Sequence, residues 1–260
     1  MRIGATATQP LEFLKLLAHH IRWRILLALS RSDYRVEELV KQIKQPPNLV
    51  SYHLKRLRLQ QLVSERRSSA DGRDIYYSLN LDQFRRLYFE AGQSLHPALR
   101  EPIHQTHSQT ETLTSPSIRV LFLCTHNSAR SQMAEGLLRK LGGDHVEVFS
   151  AGSEPTSIHP FTIKVMSNIG IDVSQHRVKH FDEFLGQTFD YIITVCDRVR
   201  EVCPVFPGNP EQIHWSFPDP VAMEGNLQTQ EHGFQETARL LRVRIEYLLL
   251  AFERDRKEKR

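Results

Sequence analysis

Residues 119–123, Arg-Val-Leu-Phe-Leu, form a short apolar run that passes without a break into Cys124-Thr125-His126-Asn127-Ser128-Ala129-Arg130-Ser131. Residues 133–141 then take up helical spacing. No other stretch constrains the fold as strongly. The run reads as a buried strand, and a strand turning straight into a helix points to an α/β sheet. The loop between them can aim successive backbone N–H groups at one tetrahedral oxyanion, with the helix N-terminus adding positive potential. That field and the Arg130 guanidinium predict a lowered pKa for Cys124 and a thiolate nucleophile. Arg130 can also hold two oxyanion oxygens at once, which lysine could not do. A free cysteine is more often a small buried apolar residue; the strand–loop–helix frame sets Cys124 apart from that case. The expected oxyanion-binding residues are Thr125, His126, Asn127, Ser128, Ala129, Arg130 and Ser131.

Ahead of this stretch lies a seam. Residues 96–117 are polar and proline-bearing, with no sustained apolar period, and read as a linker. Their histidines, His96, His104 and His107, could bind a metal, but solvated side chains are the simpler reading and no metal site is expected. A chain of 260 residues has room for two domains. Residues 1–100 carry 17 Lys and Arg against 9 Asp and Glu, a balance of +8; the remainder carries 17 against 21, or −4. A basic module for a polyanion is thus joined to an acidic one. With 40% apolar and 25% charged residues, a fully disordered chain is excluded. No apolar run approaches the ~20 residues of a membrane span. Glu12, Lys15, Arg22 and Arg24 interrupt the N-terminal apolar stretches, so no signal peptide is expected and the location should be cytoplasmic. Three cysteines, an odd number, argue against a disulfide framework and leave reactive thiols.

The first domain, residues 1–95, is helical and then briefly stranded. Residues 11–17 and 21–29 are leucine-rich with helical spacing, and Val36, Leu39, Val40 and Ile43 mark a third helix. After Pro46-Pro47 comes a helix over 48–60, whose stripe of Val50, Leu54 and Leu57 leaves Asn48, Ser51, Tyr52, Lys55 and Arg56 on other faces. Strand-like runs at 62–67 and 75–79 flank Ala70-Asp71-Gly72-Arg73, a hairpin signal, and a helix over 82–91 closes the unit. The sum is an α+β winged helix-turn-helix. Its second helix can offer Asn48, Ser51, Tyr52, Lys55 and Arg56 to base edges, while Arg66, Arg67 and Arg73 reach phosphates. The same charges could merely be solvated on a protein-binding winged helix; the +8 balance favours double-stranded DNA. A homodimer through this domain is expected, because paired half-sites lengthen the site read. The stretch Ser51-Tyr52-His53-Leu54-Lys55-Arg56-Leu57, followed by Gln61-Leu62-Val63, resembles the ArsR-type metalloregulators. Members that sense arsenite use cysteine thiolates. This half has none, so its effector is not bound by thiols.

The Cys124 loop resembles that of low-molecular-weight tyrosine phosphatases and of thioredoxin-coupled arsenate reductases, which share a fold. The resemblance covers residues 118–252, including Phe149-Ser150-Ala151-Gly152 after the second strand, and leaves 253–260 as a charged tail. It implies a parallel four-stranded sheet flanked by helices. Two positions depart from it: His126 stands where glycine is common, and Ala129 where a second cysteine often sits. Residues 190–195 read as a strand, followed by Cys196 and, after six residues, Cys203-Pro204. The reductases carry such a pair, so the resemblance makes Cys196 and Cys203 relay thiols. Two unrelated buried cysteines are the plain alternative, and two thiols without neighbouring ligands make a poor zinc shell. Strand-like residues 213–217 lead into Pro218-Asp219-Pro220-Val221, where the family's Asp-Pro supplies the general acid, and a helix over 235–252 covers the sheet. An aspartate before proline is also a common turn. Val221 replaces the tyrosine usual in phosphatases. The implied function is a bifunctional DNA-binding regulator and arsenate reductase, using Cys124, Arg130, Cys196, Cys203 and Asp219, no bound cofactor, and reduced thioredoxin as electron donor. A phosphatase fused to the regulator, or a non-catalytic oxyanion or redox sensor, stays open.

Overall fold

The computed structural model describes residues 8–96, 99 and 117–258. The chain divides into two units, residues 1–67 with 73–114 and residues 68–72 with 115–260. Most of the expected linker, with His104 and His107, lies outside the described residues.

In the first unit, α1 (Thr8–Leu17) is followed by α2 (His20–Leu29), which His19 caps by accepting the Ile21 N–H at 3.2 Å. The helix α3 (Val36–Ile43) opens where Glu38 accepts the Arg35 N–H at 2.8 Å and stops where Lys44 turns left-handed, φ 52°. Proline opens α4 (Pro47–Leu59), where its missing N–H costs nothing. The strands β1 (Tyr34–Arg35), β2 (Val63–Arg67) and β3 (Ile75–Leu79) form an antiparallel sheet in the order β1-β3-β2. Asn80 caps α5 (Leu81–Leu95). Ile25, Leu29, Leu39, Ile43, Val50, Leu54 and Leu57 are buried to within 1% of fully. Each such side chain contributes about 1.5–3 kcal/mol. This is the expected winged helix-turn-helix. The hairpin differs in its turn: the connection runs from 68 to 74, and Gly72 does not have the positive φ of a tight Asp-Gly turn.

The second unit is a parallel sheet of β4 (Ile118–Cys124), β5 (Val146–Gly152), β6 (Tyr191–Thr194) and β7 (Glu211–His214), in the order β5-β4-β6-β7. It is flanked by α6 (Arg130–Gly142), α7 (Pro160–Asn168), the short α8 (Asp197–Glu201) and α9 (Leu227–Glu258). Val120, Leu121, Phe122 and Leu123 are fully buried, as a central strand covered on both faces requires. Phe234, Ala238, Leu241, Ile245, Leu248 and Phe252 make one buried stripe along α9.

Three expectations change. Phe149-Ser150-Ala151-Gly152 are the last residues of β5 and do not follow it, because pairing continues to Cys124↔Gly152. The strand expected over 213–217 ends at His214, since the chain then turns and Phe217 N–H bonds to Trp215 O at 3.1 Å. The expected tail from 253 is helical as far as Glu258, because Glu, Arg and Lys are good helix formers.

Since β4 is flanked by β5 on one side and β6 on the other, its carboxyl end is the switch point where open α/β sheets bind ligands.

Candidate active site

With β4 ending at Cys124 and α6 beginning at Arg130, residues 125–129 close a tight loop. Its carbonyls are held from outside. The oxygens of Cys124, Thr125, His126 and Ser128 accept the N–H groups of Ser153 (3.3 Å), Glu154 (2.8 Å), Thr156 (3.1 Å) and His159 (3.0 Å). In a trans peptide the C=O and the next N–H point opposite ways. Outward carbonyls therefore turn the following amides inward, and Asn127 N–H reaches Cys124 Sγ at 3.1 Å. Such a nest suits a tetrahedral oxyanion.

Asn127 holds the loop's shape. It sits at φ 48°, a left-handed conformation in which asparagine is enriched. Its buried side chain donates to Ser131 Oγ (2.9 Å) and Ser150 Oγ (2.8 Å), and accepts from Gln132 Nε2 (3.0 Å) and Lys179 N–H (2.9 Å). Only its backbone is therefore turned to the nest. Ser150 passes the network to Glu135, which also pairs with Arg139 and Lys179. The sequence reading missed Glu135, Gln132 and Lys179; the one signal for the first two is a run of polar residues on a helix buried all along Arg130 to Leu138. A Cβ at Gly152 would lie 2.5 Å from Thr125 O and 2.9 Å from Asn127 N, so only glycine lets β5 approach the loop.

His126, standing where glycine is common, is not among the described residues with positive φ, so its side chain carries no backbone cost. Its ring is turned to the Glu154 carbonyl, Nδ1 to O 3.1 Å. Ala129 is buried at the start of α6.

Cys124 is buried, its Sγ 2.9 Å from Ser131 Oγ. The expected lowering of its pKa is reversed. Burial pushes the thiol up and the neighbouring Cys196 adds to this, outweighing the pull of Arg130 and of the Ser131 hydrogen bonds. The reason is tertiary, burial before all else; Arg130, for its part, is also paired. Its Nη2 is 2.7 Å from Asp219 Oδ2 and its Nη1 donates to Phe217 O at 3.2 Å. Asp219, reached from the loop after β7, also accepts the Val221 N–H at 3.1 Å.

Cys196 is buried just past β6, with Sγ 3.3 Å from Thr125 Oγ1. Cys203 is half-buried beyond α8, and burial pushes its thiol up to about 11. All three cysteines are free thiols. Among the described residues, no group of three or more His, Cys, Asp or Glu side chains is placed to hold a metal ion.

Residues 119–258 match the low molecular weight phosphotyrosine protein phosphatase family. The chain belongs to that family. Residues 19–65 match the bacterial regulatory protein, arsR family, so this low molecular weight phosphatase-family protein carries an ArsR-family helix-turn-helix region ahead of its α/β unit. It is 45% identical to an arsenate reductase of Halalkalibacterium halodurans over 106 residues, 41% of this chain and 76% of the relative. An arsenate reductase of Oceanobacillus iheyensis is 35% identical over 117 residues, 45% of this chain and 84% of the relative. A solved structure described as an arsenate reductase in oxidized state is 28% identical and covers 51% of this chain and 97% of its own, with a TM-score of 0.46.

In the ArsR-family region of this phosphatase-family protein, α4 buries Val50, His53, Leu54 and Leu57 and exposes Asn48, Ser51, Tyr52, Lys55 and Arg56. On the hairpin, Arg67 and Arg73 are exposed and Arg66 is half-buried, its Nη1 donating to Arg67 O at 2.8 Å. Among the described residues no helix is long and apolar enough to cross a membrane.

Proposed function

We propose that this protein reduces arsenate to arsenite through Cys124, Cys196 and Cys203, and that its first unit binds double-stranded DNA as a homodimeric regulator in the cytoplasm. One observation carries the catalytic reading: Cys196 lies against the anion loop at Thr125, where phosphate-ester hydrolysis needs no second thiol. The identity to proteins named arsenate reductase supports it.

The chemistry follows from the placement. An arsenate oxygen takes the Cys124 proton, the thiolate attacks arsenic, and Asp219 protonates an oxygen that leaves as water, while Arg130 and the loop amides hold the adduct. Cys196 Sγ then attacks Cys124 Sγ. The sulfur–arsenic bond breaks with its electron pair on arsenic, which departs as arsenite, reduced by two electrons. Cys203 attacks Cys196 and returns Cys124 as a thiol, leaving a Cys196–Cys203 disulfide. Reduced thioredoxin, an external dithiol, takes the disulfide back; no bound cofactor takes part. On the first unit, Asn48, Ser51, Tyr52, Lys55 and Arg56 face base edges, with Arg66, Arg67 and Arg73 on phosphates.

Hydrolysis of an aryl phosphate is the second reading, favoured because the Arg130–Asp219 pair beside Cys124 is all it needs. Arsenate- and thioredoxin-dependent consumption of reduced cofactor tests the first. Cys203→Ser should stop multiple turnover yet allow the Cys124 adduct, and Cys124→Ser should abolish both. If Cys196→Ser and Cys203→Ser leave arsenate turnover intact, the relay is wrong; aryl-phosphate hydrolysis should survive both changes.

A further inference from the structure

Ser128 carries a loop carbonyl bound twice, and both donors come from the start of α7. His159 N–H reaches Ser128 O at 3.0 Å, and Thr162 Oγ1 donates to the same oxygen at 3.0 Å. Thr162 is fully buried, so its hydroxyl has exchanged water for this carbonyl. The first turn of α7 is itself fixed. His159 Nδ1 accepts the Phe161 N–H at 3.2 Å, capping the helix, and the ring stacks on Phe234 of α9 with centroids 4.7 Å apart. Ser128 C=O and Ala129 N–H belong to one planar trans peptide and point opposite ways. Holding the oxygen from α7 therefore aims the Ala129 amide into the concave side of the loop.

We propose that Thr162 is a positioning residue for the reaction at Cys124, fixing the Ser128–Ala129 peptide so that the Ala129 N–H meets the oxyanion. The proposal rests on reading the Cys124 loop as an oxyanion site. A loosened donor costs most where the bound oxygens carry most charge, in the transition state, so kcat should suffer more than KM.

The test uses the full chain and an aryl phosphate, with inorganic phosphate as competing ligand. Thr162→Val removes the hydroxyl at nearly constant volume, and Thr162→Ser keeps it. Losing one whole oxyanion donor typically costs 100- to 1000-fold in kcat. A donor loosened but still present should cost about tenfold in Thr162→Val, with KM changed far less. Thr162→Ser should restore kcat to near the parent, while both variants melt close to it. Parental kcat in Thr162→Val, or equal loss in both variants, would overturn the proposal. If Thr162→Val does not fold, His159→Ala, which uncaps the same turn, should show the same kcat-selective loss; unchanged kcat there overturns it. A parent chain that neither turns over nor binds phosphate would instead remove the oxyanion reading, and this proposal with it.

Discussion

Replacing Asn127 by alanine removes four side-chain hydrogen bonds, to Ser131, Ser150, Gln132 and the Lys179 amide, from a fully buried position. At about 0.5–1.5 kcal/mol for each net bond, the loss is about 2–6 kcal/mol. The backbone adds to it. Asn127 sits at φ 48°, and a left-handed alanine costs about 1–2 kcal/mol. Together these come to about 3–8 kcal/mol, a large part of the ~5–15 kcal/mol that holds a domain folded. Asn127→Gly loses the same four bonds without the Cβ penalty, so it should stand about 1 kcal/mol above Asn127→Ala. Urea unfolding in a Trp23→Phe background isolates the second unit, because Trp215 is then the remaining tryptophan and is 3% exposed. A loss below about 1 kcal/mol for Asn127→Ala would refute the network's role. An Asn127→Gly variant less stable than Asn127→Ala would refute the backbone argument.

Burial holds the Cys203 thiol at about 11 against an ordinary 9.0, so its alkylation in a Cys124→Ser, Cys196→Ser background should accelerate between pH 9 and 11. Because this folded-state pKa is raised, the stability it contributes is complete below pH 9 and is lost as pH rises through that window. A rate plateau at pH 9, followed by mass spectrometry, would contradict the burial. Lys55→Ala with Arg56→Ala should weaken operator binding and lower the salt slope by about 0.9 for each phosphate no longer neutralised. Unchanged affinity and slope in a salt titration would take α4 out of the DNA interface.

What could be read in the sequence is what depends on near neighbours. The run from 119 to 131 announces strand, nest and helix because all three are local, and the stripe of Val50, Leu54 and Leu57 orients α4 for the same reason. The rest depends on distant partners. Asn127 meets Lys179 across 52 positions and Ser128 meets Thr162 across 34, and no spacing rule links them. The raised thiol of Cys124 escapes the sequence because it turns on burial and on Cys196, brought in from beyond β6. The hairpin shows a smaller case: Asp71-Gly72 marks its place but not the length of its connection.

The Arg130–Asp219 contact makes loading of the site a competition. One Nη of the guanidinium holds a carboxylate and the other a backbone carbonyl, and each keeps a second N–H for an oxyanion, which must share the cation with Asp219. Its affinity is then a difference between two anions competing for one cation, and a weakly charged visitor gains little.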